Sequence, residues 1–192
     1  MPTFNWQNLQ AVQAMKFVCG HCGQKVASER GWYATIPEGG NAWIYVCPYC
    51  GEPSYFHGER QVPGVAFGNA VDSVPDGIAT LYAESRNAYS VSAFTASVLA
   101  SRKILMNIAV EKGANENLRF IEYVEYLAER GYVPPDGKDW VDHIRRKGNE
   151  ATHEIQLMSS GDASELISFV EMLLKFIFEF PARVPVTPDA AT

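Results

Sequence analysis

The amino-acid sequence predicts a mainly α-helical protein with a small β-structured module at its N-terminus. From residue 76 onward, apolar residues recur every three or four positions in about five segments, the spacing of amphipathic helices. Before that point, short runs of aromatic and β-branched residues alternate with Gly- and Pro-rich turns, which is typical of strands. The hydrophobic share of 47% over 192 residues suffices for one domain with a buried core and a small additional module.

The chain divides by composition into four parts. Residues 1–62 are predicted to form the β module with a short amphipathic lead-in, and residues 63–75, rich in Gly, Pro and small side chains, are predicted to be a linker. Residues 76–182 are predicted to form the helical domain. Residues 183–192, which contain prolines and small residues, are predicted to be a flexible tail.

The charge and the hydropathy restrict the partners. A net charge of -6 argues against tight nonspecific binding to duplex DNA, because such binding requires a basic surface. The basic cluster Arg145-Arg146-Lys147 is large enough for one phosphate but not for a long backbone. Since no apolar run reaches the length of a membrane span and no secretory leader opens the sequence, we expect a cytoplasmic protein without a membrane partner.

The cysteines form two Cys-x-x-Cys pairs, each followed by glycine. They are Cys19, Cys22, Cys47 and Cys50. This spacing predicts a four-thiolate zinc site, and a full set of sulfur ligands predicts a structural role for the zinc. Disulfide pairing and a redox role are the alternatives; reduced cytosolic thiols weigh against the first, and the absence of strand–helix alternation against the second. His21 and His57 are interpreted as surface histidines.

The residues between the two cysteine pairs predict a hairpin. Residues 31–36 and 42–46 are rich in aromatic and β-branched side chains, and residues 37–41 supply the turn. Together with the cysteines, this pattern predicts a zinc ribbon.

The helical part ends in a segment that is apolar nearly all round. Earlier helices are predicted around residues 78–85, 92–112, 115–131 and 139–155, and the last one is predicted from Asp162 to Phe180, ended by Pro181. A helix without a polar face is either central in its bundle or shared with a second subunit. We therefore expect a homodimer or a higher oligomer.

Residues 139–155 carry the candidate catalytic residues. At about 100° per residue, Trp140 and Ile144 fall on a core-facing stripe, whereas Arg146, Asn149 and His153 fall together on the opposite side. A guanidinium, an amide and an imidazole on one face form either a solvated surface or a site for a ligand. In the first interpretation, His153 pairs with a neighbouring glutamate and Arg146 with Asp142.

The sequence resembles a bacterial and phage family of uncharacterised proteins that combine a zinc ribbon with a HEPN-like helical domain. The resemblance is carried by the two cysteine pairs, by residues 81–86 and 101–106, and above all by residues 144–153, which match a Gly-Asn…His signature. It implies a helical bundle that commonly dimerises. In many such domains an Arg and a His on one helix make a metal-independent endoribonuclease, although many others are noncatalytic.

The chemistry of the three side chains fits RNA cleavage. His153 titrates near neutral pH and could act as general base or acid. Arg146 could hold two phosphate oxygens, and Asn149 could orient His153 or donate to the phosphate. Because one helix supplies a single imidazole, a dimer would complete the site.

Three functions remain open from the sequence. The first is an RNA-binding or RNA-cutting dimer in defence or stress. The second is a noncatalytic adaptor or sensor for a protein or a small anionic ligand, and the third is a DNA-associated accessory factor. The acidic charge favours the second over the third, and the positions of Arg146 and His153 favour the first over the second.

Overall fold

The computed structural model describes residues 4–37, 39–133, 140 and 157–184. The chain separates into two compact units. The ribbon unit comprises the residues up to Phe67 together with Ser90–Ser92, and the helical unit comprises Gly68–Tyr89 and Ala93–Thr192. Each unit has its own hydrophobic core.

The predicted mainly α-helical class is wrong. The structure is 43% helical and 22% strand, an α+β fold with a five-stranded antiparallel sheet. Its described residues include four α-helices of ten residues or more. The sequence interpretation missed the first, fourth and fifth strands, because their strand conformation depends on the partner with which each of them pairs.

The sheet of the ribbon unit is a simple meander. Its strands are β1 (Gln10–Val18), β2 (Lys25–Thr35), β3 (Asn41–Val46), β4 (Pro53–His57) and β5 (Arg60–Val62), and each pairs antiparallel with the next. The central strands pair in a regular register that places Tyr33, Trp43 and Phe56 side by side. Between Ala11 and Met15, the register of β1 on β2 shifts.

The core of the ribbon unit is small and aromatic. Phe17 meets Phe56 with ring centroids 5.1 Å apart, and Tyr45 meets Phe56 at 5.7 Å. The Tyr45 hydroxyl, buried with these rings, donates to the Gln13 carbonyl at 2.8 Å. Cys19 and Cys47 complete this cluster, so the cysteines belong to the core rather than to the surface.

The helical unit contains α1 (Asp76–Ser90), α2 (Phe94–Glu111), α3 (Phe120–Glu129) and α4 (Ser160–Leu174). A π-helical segment, Lys175–Glu179, follows α4 and leads into the short α5, Phe180–Arg183. The last helix begins at Ser160, two residues earlier than Asp162, because Ser159 and Asp162 cap each other's backbone N–H groups. The helical conformation continues past Pro181 to Arg183, because the missing N–H of Pro181 is tolerated in the first turn of α5.

The core of the helical unit is mainly aliphatic and lies between α2, α3 and α4. Phe169, Leu105 and Leu127 are fully buried in it. The contact between α1 and α2 includes buried polar groups. The Ser85 hydroxyl of α1 donates to the Ser97 carbonyl of α2 at 2.9 Å and lies 2.8 Å from the Ser101 hydroxyl. Small side chains let α1 and α2 approach closely there.

A short strap, residues 68–72, is fixed to the end of the last helix. The Asn69 backbone N–H and side-chain amide donate to the two carboxylate oxygens of Glu171 at 2.8 and 3.0 Å. The Asp72 N–H donates to Glu179 at 3.2 Å, and Lys175 pairs with Glu171. Two carboxylates of one helix thus satisfy backbone donors of a segment that has no regular secondary structure.

Among the described residues, none of the helices is long and apolar enough to cross a membrane.

Candidate functional site

The four cysteine side chains converge at one end of the ribbon sheet. Their sulfur atoms all lie within 4.8 Å of one another, with Cys19 3.7 Å from Cys50 and Cys22 3.9 Å from Cys47. These distances are too long for disulfides, whose S–S bonds are about 2.05 Å. Sulfurs at about 2.3 Å from a tetrahedral ion would lie about 3.8 Å apart, close to the two measured pairs.

The same turn holds each cysteine pair. Between β1 and β2, the Gly23 N–H donates to the Cys19 carbonyl at 2.8 Å; between β3 and β4, the Gly51 N–H donates to the Cys47 carbonyl at 2.9 Å. Gly23 and Gly51 have φ angles of +72° and +79°, in the left-handed region that favours glycine. The glycine after each pair is therefore required by the turn that presents the sulfurs.

Backbone N–H groups in the turns point at the sulfur atoms. Burial raises the pKa of the Cys47 thiol, but the N–H groups of Cys50 and Tyr49 and the neighbouring thiols outweigh it, so its pKa lies below the ordinary value. Burial raises the pKa of the Cys19 thiol despite N–H groups of Cys22 and His21. Burial also raises the pKa of the Cys50 thiol, to about 12. Cys47 is thus the preferred thiolate of the cluster.

The electrostatics of this cluster suit a cation. Four thiolates at these distances would repel one another strongly, which is why the pKa values of neighbouring thiols diverge. A soft divalent ion would compensate that charge and allow all four sulfurs to be deprotonated. The residues present therefore fit a four-sulfur metal site, in which no ligand position remains for water.

The two histidines near the ribbon cysteines are not part of the cluster, whose members are all cysteines. His21 Nε2 lies 3.0 Å from the Pro53 carbonyl oxygen, and this hydrogen bond occupies that ring nitrogen. His57 is the exposed last residue of β4.

The candidate catalytic residues Arg146, Asn149 and His153 lie outside the described residues. Of residues 139–155, only Trp140 is described. It is helical, partly buried, and meets the fully buried Phe169 edge-on at 5.0 Å. Trp140 therefore lies on the core side, as its place on the apolar stripe predicts.

Sequence reasoning missed the aromatic residues that support the second cysteine turn. The Trp6 indole N–H donates to the Gly51 carbonyl at 2.8 Å, and Trp6 meets Trp32 edge-on at 5.9 Å. The signal available in the sequence was two aromatic residues, Phe4 and Trp6, in an otherwise polar segment. Their position beside the second cysteine turn depends on contacts across more than forty residues.

These features define a class: a chain that joins a β ribbon, whose four cysteines are placed to hold a metal ion, to a helical unit. The chain belongs to the family described as Domain of unknown function (DUF4145), which matches residues 83–189, more than half of the chain. The match covers most of the helical unit and residues 139–155, whereas the cysteines lie outside it. No curated protein and no solved structure matches the chain.

Proposed function

We propose that this chain is a zinc-ribbon protein with a HEPN-like helical unit that binds RNA and cleaves it without a catalytic metal, as a homodimer in defence or stress. The observation that carries the zinc part is the convergence of four cysteine sulfurs within 4.8 Å. The sequence pattern Arg146, Asn149 and His153 supports the RNA part.

Zinc is the metal that this donor set favours. Thiolate ligands select soft or borderline ions, and zinc is stable in a reduced cytosol without redox chemistry. A closed set of four sulfurs leaves no position for a reacting water. The zinc therefore holds the ribbon together, and the proposed RNA chemistry does not pass through it.

The proposed cleavage uses the RNA's own 2′-hydroxyl as nucleophile. His153 accepts the proton of that hydroxyl, the new P–O bond forms, and Arg146 compensates the charge on the nonbridging oxygens. The bond to the 5′-oxygen then breaks, and that oxygen takes a proton from a second imidazole. His153 of the second protomer would supply it, which is why the proposal requires a dimer.

An exposed apolar stripe along the π-helical segment and α5 supports self-association. Phe176, Phe180 and Val184 are spaced by four residues and are 48%, 43% and 67% exposed. The Phe176 and Phe180 rings contact each other at 5.4 Å. Aromatic residues of this kind are enriched in subunit interfaces.

The second candidate is a noncatalytic adaptor that binds a protein partner. The same apolar stripe favours it, because the stripe could cover a different protein instead of a second copy. In that case His153 and its neighbours form a solvated surface or hold a small anion.

Cleavage of a labelled single-stranded RNA distinguishes the two candidates. We expect His153→Ala and Arg146→Ala to abolish cleavage. Arg145→Ala should reduce it less, because helical spacing predicts that Arg145 falls on another side of a helix than Arg146 and His153. Activity should persist during brief exposure to a chelator. Full activity in His153→Ala, or a monomer by light scattering at micromolar concentration, would favour the adaptor.

A further inference from the structure

The ribbon unit contains a cavity of about 560 Å³ beside the second cysteine turn. The lead-in residues 4–9 form one side of it and strand β2 the other. Aromatic and apolar walls come from Phe4, Trp6, Leu9 and Pro48, and polar groups come from Glu29 and Arg30. This volume lies within the range of small-molecule and cofactor sites.

The aromatic wall is fixed before any ligand arrives. Trp6 is held by its hydrogen bond to Gly51 and by Trp32, and Phe4 stacks on Trp6 at 5.7 Å with an interplanar angle of 28°. Phe4 also lies against the bare backbone of Gly51, where a Cβ atom would come within 2.9 Å of the Phe4 ring. Phe4 nevertheless remains 40% exposed.

Two adjacent charged residues of β2, Glu29 and Arg30, line this cavity. The register of β1 on β2 shifts between Ala11 and Met15, opposite the part of β2 that contains Glu29. The neighbouring Ser28 hydroxyl donates to the Val46 carbonyl at 2.8 Å. Irregularities of this kind are common beside functional sites.

Both charged side chains are available to a ligand. Among the residues that the structure describes, neither the Glu29 carboxylate nor the Arg30 guanidinium has a hydrogen-bond or ion-pair partner, and both residues are exposed. A flat aromatic wall, an unpaired cation and an unpaired carboxylate thus meet in one cavity. This combination provides stacking, phosphate binding and acceptance of N–H groups from a base edge.

We infer that this cavity binds one nucleotide of single-stranded RNA, with guanine as the preferred base. The base lies against the aromatic wall, Arg30 binds an adjacent phosphate, and the Glu29 carboxylate accepts the two neighbouring N–H groups of the guanine edge. A peptide fits less well, because the single carboxylate and single guanidinium do not form the row of donors that an extended backbone requires. All the residues that line the cavity belong to the ribbon unit, so the inference does not depend on the proposed cleavage.

The test measures fluorescence anisotropy with an octamer of uridines that contains one guanosine. Every protein carries His153→Ala, so that the proposed cleavage cannot consume the probe. We expect Trp6→Leu to weaken binding at least about fivefold, the lower end of the contribution of one stacked base. Arg30→Gln should weaken binding by a similar factor and should reduce the salt slope by about 0.7, equivalent to one phosphate.

Lys25→Gln is the matched control. It removes the same charge from the same strand, but Lys25 lines a different surface depression. Replacing guanosine by inosine in the probe removes one N–H donor group. The protein that retains Glu29 should bind the inosine probe more weakly than the guanosine probe, whereas the Glu29→Gln variant should bind both probes equally. Metal content shows that each variant retains its folded ribbon.

Equal weakening by Lys25→Gln and Arg30→Gln, or unchanged affinity in Arg30→Gln, would overturn the inference. So would an Arg30-dependent affinity for an acidic peptide without affinity for the RNA, since that would assign the cavity to a protein partner. The proposed function is tested separately, by measuring whether the chain that retains His153 cleaves RNA; absence of cleavage would contradict the proposed function but not this inference.

Discussion

The two units of this chain hold their folds by different means. Among the residues that the structure describes, nineteen buried ones form the core of the helical unit and five form the core of the ribbon unit, two of them cysteines. Apolar burial stabilises by about 25 cal/mol per Å², so the helical unit has a large hydrophobic contribution and the ribbon has little. The comparison leads us to expect that metal binding at the cysteines contributes more to the stability of the ribbon unit than its small apolar core does.

The largest effect is expected from Cys47→Ser. It removes one of four sulfur ligands, and because metal binding supplies much of the folding free energy of so small a module, the ribbon should lose its metal and unfold. Circular dichroism at 222 nm should retain the helical signal. Elemental analysis gives the metal content, and less than half an equivalent of zinc in freshly purified wild-type protein would contradict the zinc assignment.

The reverse experiment is Phe169→Ala in the helical unit. Removing this fully buried ring leaves a cavity and deprives Trp140 of its aromatic partner, so the free energy of unfolding should fall by about 3–5 kcal/mol. Metal content should stay the same. Leu99→Ala is the control, since Leu99 is 59% exposed and its removal opens no core cavity. Equal destabilisation by both changes, measured by urea denaturation, would show that Phe169 has no special place in the core.

A smaller effect is expected where the strap crosses the last helix. Gly68 and Gly131 have similar φ angles of +73° and +76°, but a Cβ at Gly68 would lie 2.9 Å from the Glu171 carboxylate and 3.0 Å from the Tyr82 hydroxyl, whereas Gly131 has open space. Both alanine variants are destabilised by backbone strain at a positive φ angle, and only Gly68→Ala adds crowding. We expect an extra loss of about 1–2 kcal/mol for Gly68→Ala. Equal stabilities of the two variants would show that the residues around Gly68 shift to accommodate a methyl group without a measurable loss of stability.

The smallest effect is the pH dependence contributed by Glu171. Burial raises the pKa of this carboxyl, but Lys175 and Asn69 outweigh it, so the folded-state pKa lies below the ordinary value of 4.5. The contribution to stability is therefore present above pH 4.5 and is lost as the pH falls through the folded-state pKa. The free energy of unfolding, measured by denaturation at pH 7 and pH 4, should decrease less for Glu171→Gln than for wild type as the pH falls. Identical decreases would refute the assignment.

Local patterns determined part of this protein. The spacing of Cys19, Cys22, Cys47 and Cys50, with a glycine after each pair, predicts the convergence that the structure shows, because each turn is built from residues within five positions. The identity of the ion as zinc and the catalytic role of Arg146, Asn149 and His153 stay predictions. The mainly α-helical class was wrong because strands β1, β4 and β5 take their conformation from their neighbours in the sheet.

Only the tertiary structure decided the remaining features. Asn69 and Glu171 are 102 residues apart, and Trp6 and Gly51 are 45 apart, so no periodicity in the sequence links them. The strap and the cavity exist because folding brings unpaired backbone groups and aromatic rings together across those separations. The sequence alone determines contacts between near neighbours, whereas long-range pairs are selected by the packing and hydrogen-bonding requirements of the complete fold.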